Sequence, residues 1–135
     1  MIKIQNGEIL QQETLLSTRK SPQRGEIWLV NLDPTIGSEI RKVRPALVVS
    51  SDTIGRLPIK LIAPITDWKD TFGRNSWHLK LEPNVANGLI KVSAVDTLQL
   101  RGLDEQRFMR HLGRIEDGKM RRIAASIALI VEYEN

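Results

Sequence analysis

The stretch from Arg24 to Pro45 constrains this chain more than any other: Arg-Gly-Glu-Ile-Trp-Leu-Val-Asn-Leu-Asp-Pro-Thr-Ile-Gly-Ser-Glu-Ile-Arg-Lys-Val-Arg-Pro. Glu26 to Leu32 is rich in strand-forming residues. Asp33-Pro34 breaks that strand, and Gly37 allows a turn that a side-chained residue makes less easily. After Pro45 the apolar run Ala46-Leu47-Val48-Val49 begins a second strand. The stretch therefore reads as a strand, a long polar loop and a strand, with its ionisable side chains gathered in the loop. Pro45 biases Arg44 toward an extended backbone. An arginine held there sits at the rim of a strand, poised to meet an anion.

From Arg24 onward strands dominate, with candidates at 26–32, 45–50, 59–65, 76–81, 90–98 and 112–115. Gly55, Pro58, Gly73, Pro83, Asn87-Gly88 and Gly102 punctuate them. Short strands at this spacing suggest a small barrel or sandwich. Asp104 can cap a short helix running to about Arg110. A longer helix is expected from Gly118 to Glu132. Its apolar positions Met120, Ile123, Ala124, Ile127, Ile130 and Val131 recur at helical spacing and should cover one side of the barrel. The chain has 135 residues, which suits one domain. Residues 1–23 read as an appendage: Asn6-Gly7 between short apolar runs signals a hairpin, and Ser17 to Gln23 reads as a linker. That segment is either an arm packed on the barrel or a partner, or a mobile tail.

The net charge is +4 and the pI about 9.7. Such a balance favours RNA, DNA or an acidic peptide as partner, or serves solubility alone. Position says more than the total. Arg41, Lys42 and Arg44 crowd one loop, while Lys69, Arg74 and Arg101 sit in or beside others. The chain has no cysteine, which removes disulfide and thiolate chemistry and fits a cytoplasmic location. No secretory signal is visible, and the longest apolar stretch, Ile123 to Val131, is too short to span a bilayer, so no membrane association is expected. His78 and His111 are far apart and form no metal-ligand pattern, so no metal is expected. A histidine acid–base pair would require them to converge. No glycine-rich phosphate loop or Ser-His-Asp pattern is recognisable.

The first stretch, with Arg-Gly-Glu, Asp-Pro, Gly-Ser-Glu and Arg-Pro in this order, resembles the MazF/PemK (Kid) family of bacterial toxin–antitoxin systems. Those toxins are ribosome-independent endoribonucleases. Leu61-Ile62-Ala63-Pro64-Ile65-Thr66 looks like the family's third strand, which ends in threonine. Val95-Asp96-Thr97-Leu98-Gln99-Leu100-Arg101 and Leu112-Gly113 resemble its later pattern. The likeness covers residues 24 to about 133, giving a domain at 24–135 with residues 1–23 outside it. It implies a mainly β fold with some helix: an SH3-like β-barrel of the CcdB/MazF type with a C-terminal helix. It also implies a homodimer that cuts single-stranded mRNA at a short sequence without cofactor or metal, leaving 2′,3′-cyclic phosphate and 5′-hydroxyl ends. A cognate acidic antitoxin should occupy the positively lined groove, and DNA should be met only through the toxin–antitoxin complex.

Cleavage of this kind uses the neighbouring ribose 2′-OH as nucleophile. The protein must align it, help remove its proton, stabilise charge on the phosphate and help the 5′-oxygen leave. Arg44 suits the third task, because a guanidinium is planar, permanently charged and able to grip two phosphate oxygens. The same permanence makes it a poor proton donor. By residues alone, a salt bridge with Glu39 or Asp33 explains Arg44 as well; the resemblance favours the phosphate. Thr66 can bond a phosphate oxygen or orient the 2′-OH, though an ordinary strand end is its plain explanation. The expected RNA contacts are Ser38, Glu39, Arg41, Lys42, Trp68, Asp96, Gln99 and Arg101. Ser38 stands where some family members have a histidine that helps catalysis. Glu39 can read a base edge or orient Arg44. Trp68, beside Lys69 and Arg74, can stack a base or fold onto its own domain. Trp28 and Trp77 fall within candidate strands, as core or interface residues. The Arg–Asp pair that some members carry does not transfer: Ala94 precedes Asp96 by two, and alignment on Gln99 puts Asp96 out of register with the family's aspartate.

Two other functions fit this fold. A CcdB-like toxin would bind DNA gyrase, but it depends on a C-terminal tripeptide containing tryptophan, and this chain ends Val131-Glu132-Tyr133-Glu134-Asn135. A catalytically idle barrel would bind only an antitoxin.

Overall fold

A computed structural model describes residues 21–54 and 57–134. The hairpin expected around Asn6-Gly7 lies outside the described residues. Seven strands form one antiparallel sheet: β1 (Glu26–Asn31), β2 (Val43–Val48), β3 (Ile59–Asp67), β4 (His78–Leu81), β5 (Ser93–Asp96), β6 (Arg101–Asp104) and β7 (Phe108–Arg114). Their order is β4-β5-β3-β2-β1-β7, with β6 also pairing β3. Among the described residues the path does not close on itself, and the barrel-like sheet ends at β4 and β7. The one α-helix among the described residues, α1 (Asp117–Ile130), follows β7.

The middle of the sheet is buried on both faces because its central strands carry consecutive apolar residues, as at 27–30, 46–49 and 62–65, rather than alternate ones. Successive side chains point to opposite faces. Ile27, Leu47, Val49, Ala63 and Ile65 therefore join one core with Met120 and Ile123 of α1. Their neighbours Trp28, Val30, Ala46, Val48 and Ile62 join a second with Leu32, Leu103 and Phe108. Trp28 is buried there, edge-on to Phe108 and His111. Trp77 lies just before β4 and is half-buried.

The 104–110 region differs from the sequence expectation. Asp104 does cap: its carboxylate accepts from Gln106 N at 2.8 Å. The cap supports only the 3-10 turn Glu105–Arg107, and Phe108 then opens β7, which pairs with β1 along its length. A distant strand edge outweighs the local helix signal, because pairing with β1 gives the segment backbone partners and buries Phe108 in the core. Likewise the expected strand 90–98 shortens to β5 and ends in the 3-10 turn Thr97–Gln99. A 3-10 turn, Asp70–Arg74, occupies the polar loop before β4. The α1 stripe buries Met120, Ile123 and Ser126 and half-buries Ile127, whereas Val131 beyond the helix end is exposed.

Two glycines fix the backbone around the site. A Cβ on Gly88 would lie 2.0 Å from the Leu112 carbonyl oxygen, and one on Gly113 would lie 2.2 Å from that of Ala86. Gly88 also has φ +68, in the left-handed region. The 84–89 turn can press backbone-to-backbone against β7 only because both side chains are missing. Asn84 and Asn87 lock the turn, each side chain accepting from the other's backbone N–H at 2.8 and 3.1 Å.

Candidate active site

Arg44 and Thr66 meet because of sheet register. Ala46 pairs with Pro64 across β2 and β3. Arg44 lies two residues outward from Ala46 and Thr66 two outward from Pro64, beyond the end of that ladder, where Arg44 pairs with Val30 of β1 and Thr66 with Ala94 of β5. Both residues line one cleft of about 290 Å³. Its floor and walls include Leu29 and Leu112, and its other charged residues are Asp67, Lys91 and Arg110. Asp67 Oδ2 and Lys91 Nζ are 3.4 Å apart. Arg44 is half-buried, and its only hydrogen bond within the described residues is a weak one from Nε to the Arg41 carbonyl at 3.4 Å. No carboxylate among the described residues pairs with it.

The two carboxylates that could have neutralised Arg44 hold the loop instead. Glu39 Oε1 accepts from Ile36 N at 2.6 Å, and Asp33 Oδ1 accepts from Lys42 N at 2.9 Å. The loop closes through Leu32 N, which donates to the Lys42 carbonyl at 3.0 Å. Lys42 takes φ +72 to make that return, a left-handed conformation costly for a side-chained residue. Ser38, Glu39, Arg41 and Lys42 are all exposed. Arg101 donates to the Leu32 carbonyl at 3.0 Å, and Arg107 donates to the carbonyls of Asn31 and Asp33. These two guanidiniums clamp the root of the loop.

A buried polar chain supports the same loop from behind. Gln99 Oε1 accepts from Ile40 N at 2.7 Å, while Gln99 Nε2 reaches Asp96 Oδ2 at 3.3 Å and the Ser38 carbonyl at 3.5 Å. Asp96 also accepts from Leu98 N at 3.0 Å and pairs with His78 Nε2 at 3.4 Å. His78 Nδ1 lies 3.0 Å from Asn75 Nδ2, and its ring stacks on Phe72 at 3.8 Å. Because Oε1 of Gln99 is committed to an N–H, its Nε2 must face an acceptor, and the Asp96 carboxylate is that acceptor.

Trp68 belongs to a second cleft, of about 330 Å³, with His78, Lys80, Lys119 and Arg122. Its ring is edge-on to Phe72 and has Lys80 Nζ 5.2 Å from its centroid. Among the described residues, no three His, Asp or Glu side chains converge to hold a metal ion.

The sequence pattern of a family described as PemK-like, MazF-like toxin of type II toxin-antitoxin system matches residues 23–131. The chain belongs to this toxin family. It is 28% identical over 113 residues to endoribonuclease MazF9 of Mycobacterium tuberculosis, covering 79% of this chain and 93% of that one. It is 38% identical over 68 residues to endoribonuclease PemK of Escherichia coli, covering 48% of each chain. The crystal structure of MazF from Deinococcus radiodurans superposes with a TM-score of 0.71 at 21% identity, covering 84% of this chain and 99% of that one. That likeness carries the fold: a seven-stranded, mostly antiparallel sheet with one C-terminal helix.

Within this toxin fold the residues singled out from the sequence fall into three places. Arg44 and Thr66 share the first cleft. Ser38, Glu39, Arg41 and Lys42 form the exposed loop above it, backed by Gln99, Asp96 and Arg101. Trp68 stands apart in the second cleft. The sequence reading missed Asp67, Lys91 and Arg110. Arg110 was hidden by the helix expected there; it pairs with Leu29 across β1 and β7 and so reaches the cleft. Asp67 follows Thr66 directly, and that adjacency was the one signal available for it.

Proposed function

We propose that this toxin is a metal-independent endoribonuclease that cuts single-stranded mRNA in the Arg44–Thr66 cleft, leaving 2′,3′-cyclic phosphate and 5′-hydroxyl ends. The observation that carries this reading is the half-buried guanidinium of Arg44 beside Thr66, which no carboxylate among the described residues neutralises. A fixed charge with no internal carboxylate is available for a phosphate and needs no reorganisation to meet the charge of the transition state. The exposed loop with Arg41 and Lys42 would hold the strand, and single-stranded RNA offers unstacked bases for it to read. Incubating the purified chain with a long RNA in excess EDTA, then mapping the ends, tests this. Cyclic phosphate ends at recurring sequences are expected. An RNA recovered intact would sink the enzyme and leave a binding module.

The working unit of this proposal is a homodimer. An apolar groove of about 560 Å³ runs between β3, β6 and α1, with Ile54, Leu57, Ile59, Leu61 and Ile127 along it. Ile54 is 71% and Leu57 74% exposed, more apolar surface than one isolated side chain explains. A second copy would bury it. Sedimentation should give a dimer, and Leu61→Lys should give a monomer; a wild-type monomer that cuts RNA at full rate would remove the dimer. The antitoxin partner of a type II system would lay an acidic segment into the Arg44 cleft, so RNA and antitoxin should exclude each other. Titrating the cognate antitoxin's C-terminal segment against an uncleavable RNA analogue checks this, with a ternary complex at unchanged RNA affinity as the contrary result.

A further inference from the structure

The Arg44 cleft holds one carboxylate and one lysine besides its two arginines. Four of its lining residues are ionisable: Arg44, Asp67, Lys91 and Arg110. Among the described residues Asp67 is the only carboxylate lining the cleft, and no histidine lines it. His78 is buried against Asp96 and faces the second cleft, while His111 pairs with Glu26 at 3.4 Å on the β1–β7 ladder. The hydroxyls of Thr66 and Ser93 are too weakly basic to take a proton unaided. Asp67 closes β3 directly after Thr66 and lines the same cleft as Arg44. Its Oδ2 is held by Lys91, and its Oδ1 has no hydrogen bond within the described residues. The charges that face it are all positive: Lys91 from the turn before β5, Arg44 from β2 and Arg110 from β7.

We infer that Asp67 is the general base of the cleavage reaction and Lys91 its general acid. This rests on the endoribonuclease reading. Asp67 Oδ1 takes the proton of the ribose 2′-hydroxyl as O2′ bonds to phosphorus. Arg44 and Arg110 hold the phosphoryl oxygens as their charge rises. The bond from phosphorus to O5′ breaks, and the Lys91 ammonium gives its proton to O5′. Asp67 is then a carboxylic acid and Lys91 an amine, 3.4 Å apart. Transfer of that proton from Asp67 to Lys91 restores the starting pair, so the cycle needs no metal and no third residue.

A short RNA with one mapped cut site tests this, alongside the same RNA with sulfur in place of the scissile bridging O5′. A thiolate leaves without a proton, so only the base matters for the sulfur substrate. Asp67→Asn should lower kcat about 100-fold on both substrates with KM within about threefold, the size of one proton-transfer contribution. Lys91→Ala should lose about 100-fold on the oxygen substrate and return to within about threefold of wild type on the sulfur one. Asp67→Glu should keep part of the activity. Both side chains are exposed, 58% for Asp67 and 62% for Lys91, so melting curves should match wild type and separate chemistry from folding. Wild-type kcat in Asp67→Asn, or an equal loss on both substrates in Lys91→Ala, would overturn the assignment. A wild-type chain that cuts neither substrate, nor any long RNA, would overturn the endoribonuclease reading itself, before any variant is compared.

Discussion

Asp67 and Asp96 end neighbouring, paired strands, and the protein treats them in opposite ways. The Asp96 side chain is 7% exposed and is saturated: Leu98 N, Gln99 Nε2 and His78 Nε2 all reach it. Asp67 is more than half exposed and has one partner at the edge of a cleft. The arginines divide in the same way. Arg101 and Arg107 spend donors on backbone carbonyls of the loop root, while among the described residues Arg44 has only a weak side-chain bond from Nε to the Arg41 carbonyl. A buried carboxylate must be fully bonded or it destabilises the fold. A carboxylate at a strand end can be left partly unbonded at little cost, and so remains available for chemistry. The contrast separates residues that hold the loop from residues that could act on a substrate, although both sets are Asp and Arg in similar sequence surroundings.

Removing Arg44 should have the largest effect. Arg44→Ala is expected to lower the cleavage rate by about 100-fold or more, the scale of losing one preorganised charge contact, and to shift stability by under about 0.5 kcal/mol. Arg44→Lys should fail as well, since a point charge does not reproduce the fork. A melting temperature that falls along with activity would place Arg44 in the structural set and break the contrast. Asp96→Ala should do the reverse. It leaves the His78 ring without its carboxylate partner and the half-buried Gln99 amide with only the distant Ser38 carbonyl, and should cost roughly 2–4 kcal/mol. Cleavage per folded molecule should stay within about threefold of wild type at low temperature, as for residues that act through folding alone. Chemical denaturation paired with active-site titration measures both quantities.

Gln99 sharpens the boundary, because it touches the buried network and the loop together. Gln99→Ala should cost only about 1–2 kcal/mol, for the lost bond and the stranded Ile40 N–H. It should nevertheless raise hydrogen exchange across residues 36–42. Unchanged exchange there would mean the loop is held by Asp33, Glu39 and Arg101 without it. The smallest effect concerns Lys42. Lys42→Gly should relieve its left-handed backbone and raise stability by up to about 1 kcal/mol, less the entropy glycine adds to the unfolded chain. RNA affinity should fall by one cationic contact, seen as a shallower dependence on salt. A steep loss of cleavage at saturating RNA would instead move Lys42 into the catalytic set.

Much of this was written locally in the chain. The β1–loop–β2 stretch is legible because Asp33-Pro34, Gly37 and Pro45 act within a few residues of themselves, and α1 is legible because its apolar period repeats over several turns. Arg44 and Thr66 could be named because each sits where an apolar strand meets a polar loop and because the toxin-family resemblance gave those positions a role; by residues alone a salt bridge and an ordinary strand end explained them. The pairing of Phe108–Arg114 with β1 could not be read, because a strand's preference depends on the edge it finds and that edge is far away in sequence. With it went Arg110. The fates of Asp67 and Asp96 were equally hidden: nothing local distinguishes an aspartate that will meet His78 and Gln99 from one that will meet Lys91 at a surface. Sequence alone determined the β1–loop–β2 stretch, the C-terminal helix and where the charged loops lie, since those depend on neighbours along the chain. Only the tertiary structure decided which charges are spent on the fold and which are left free, because burial and hydrogen-bond partners come from residues brought together by register and packing.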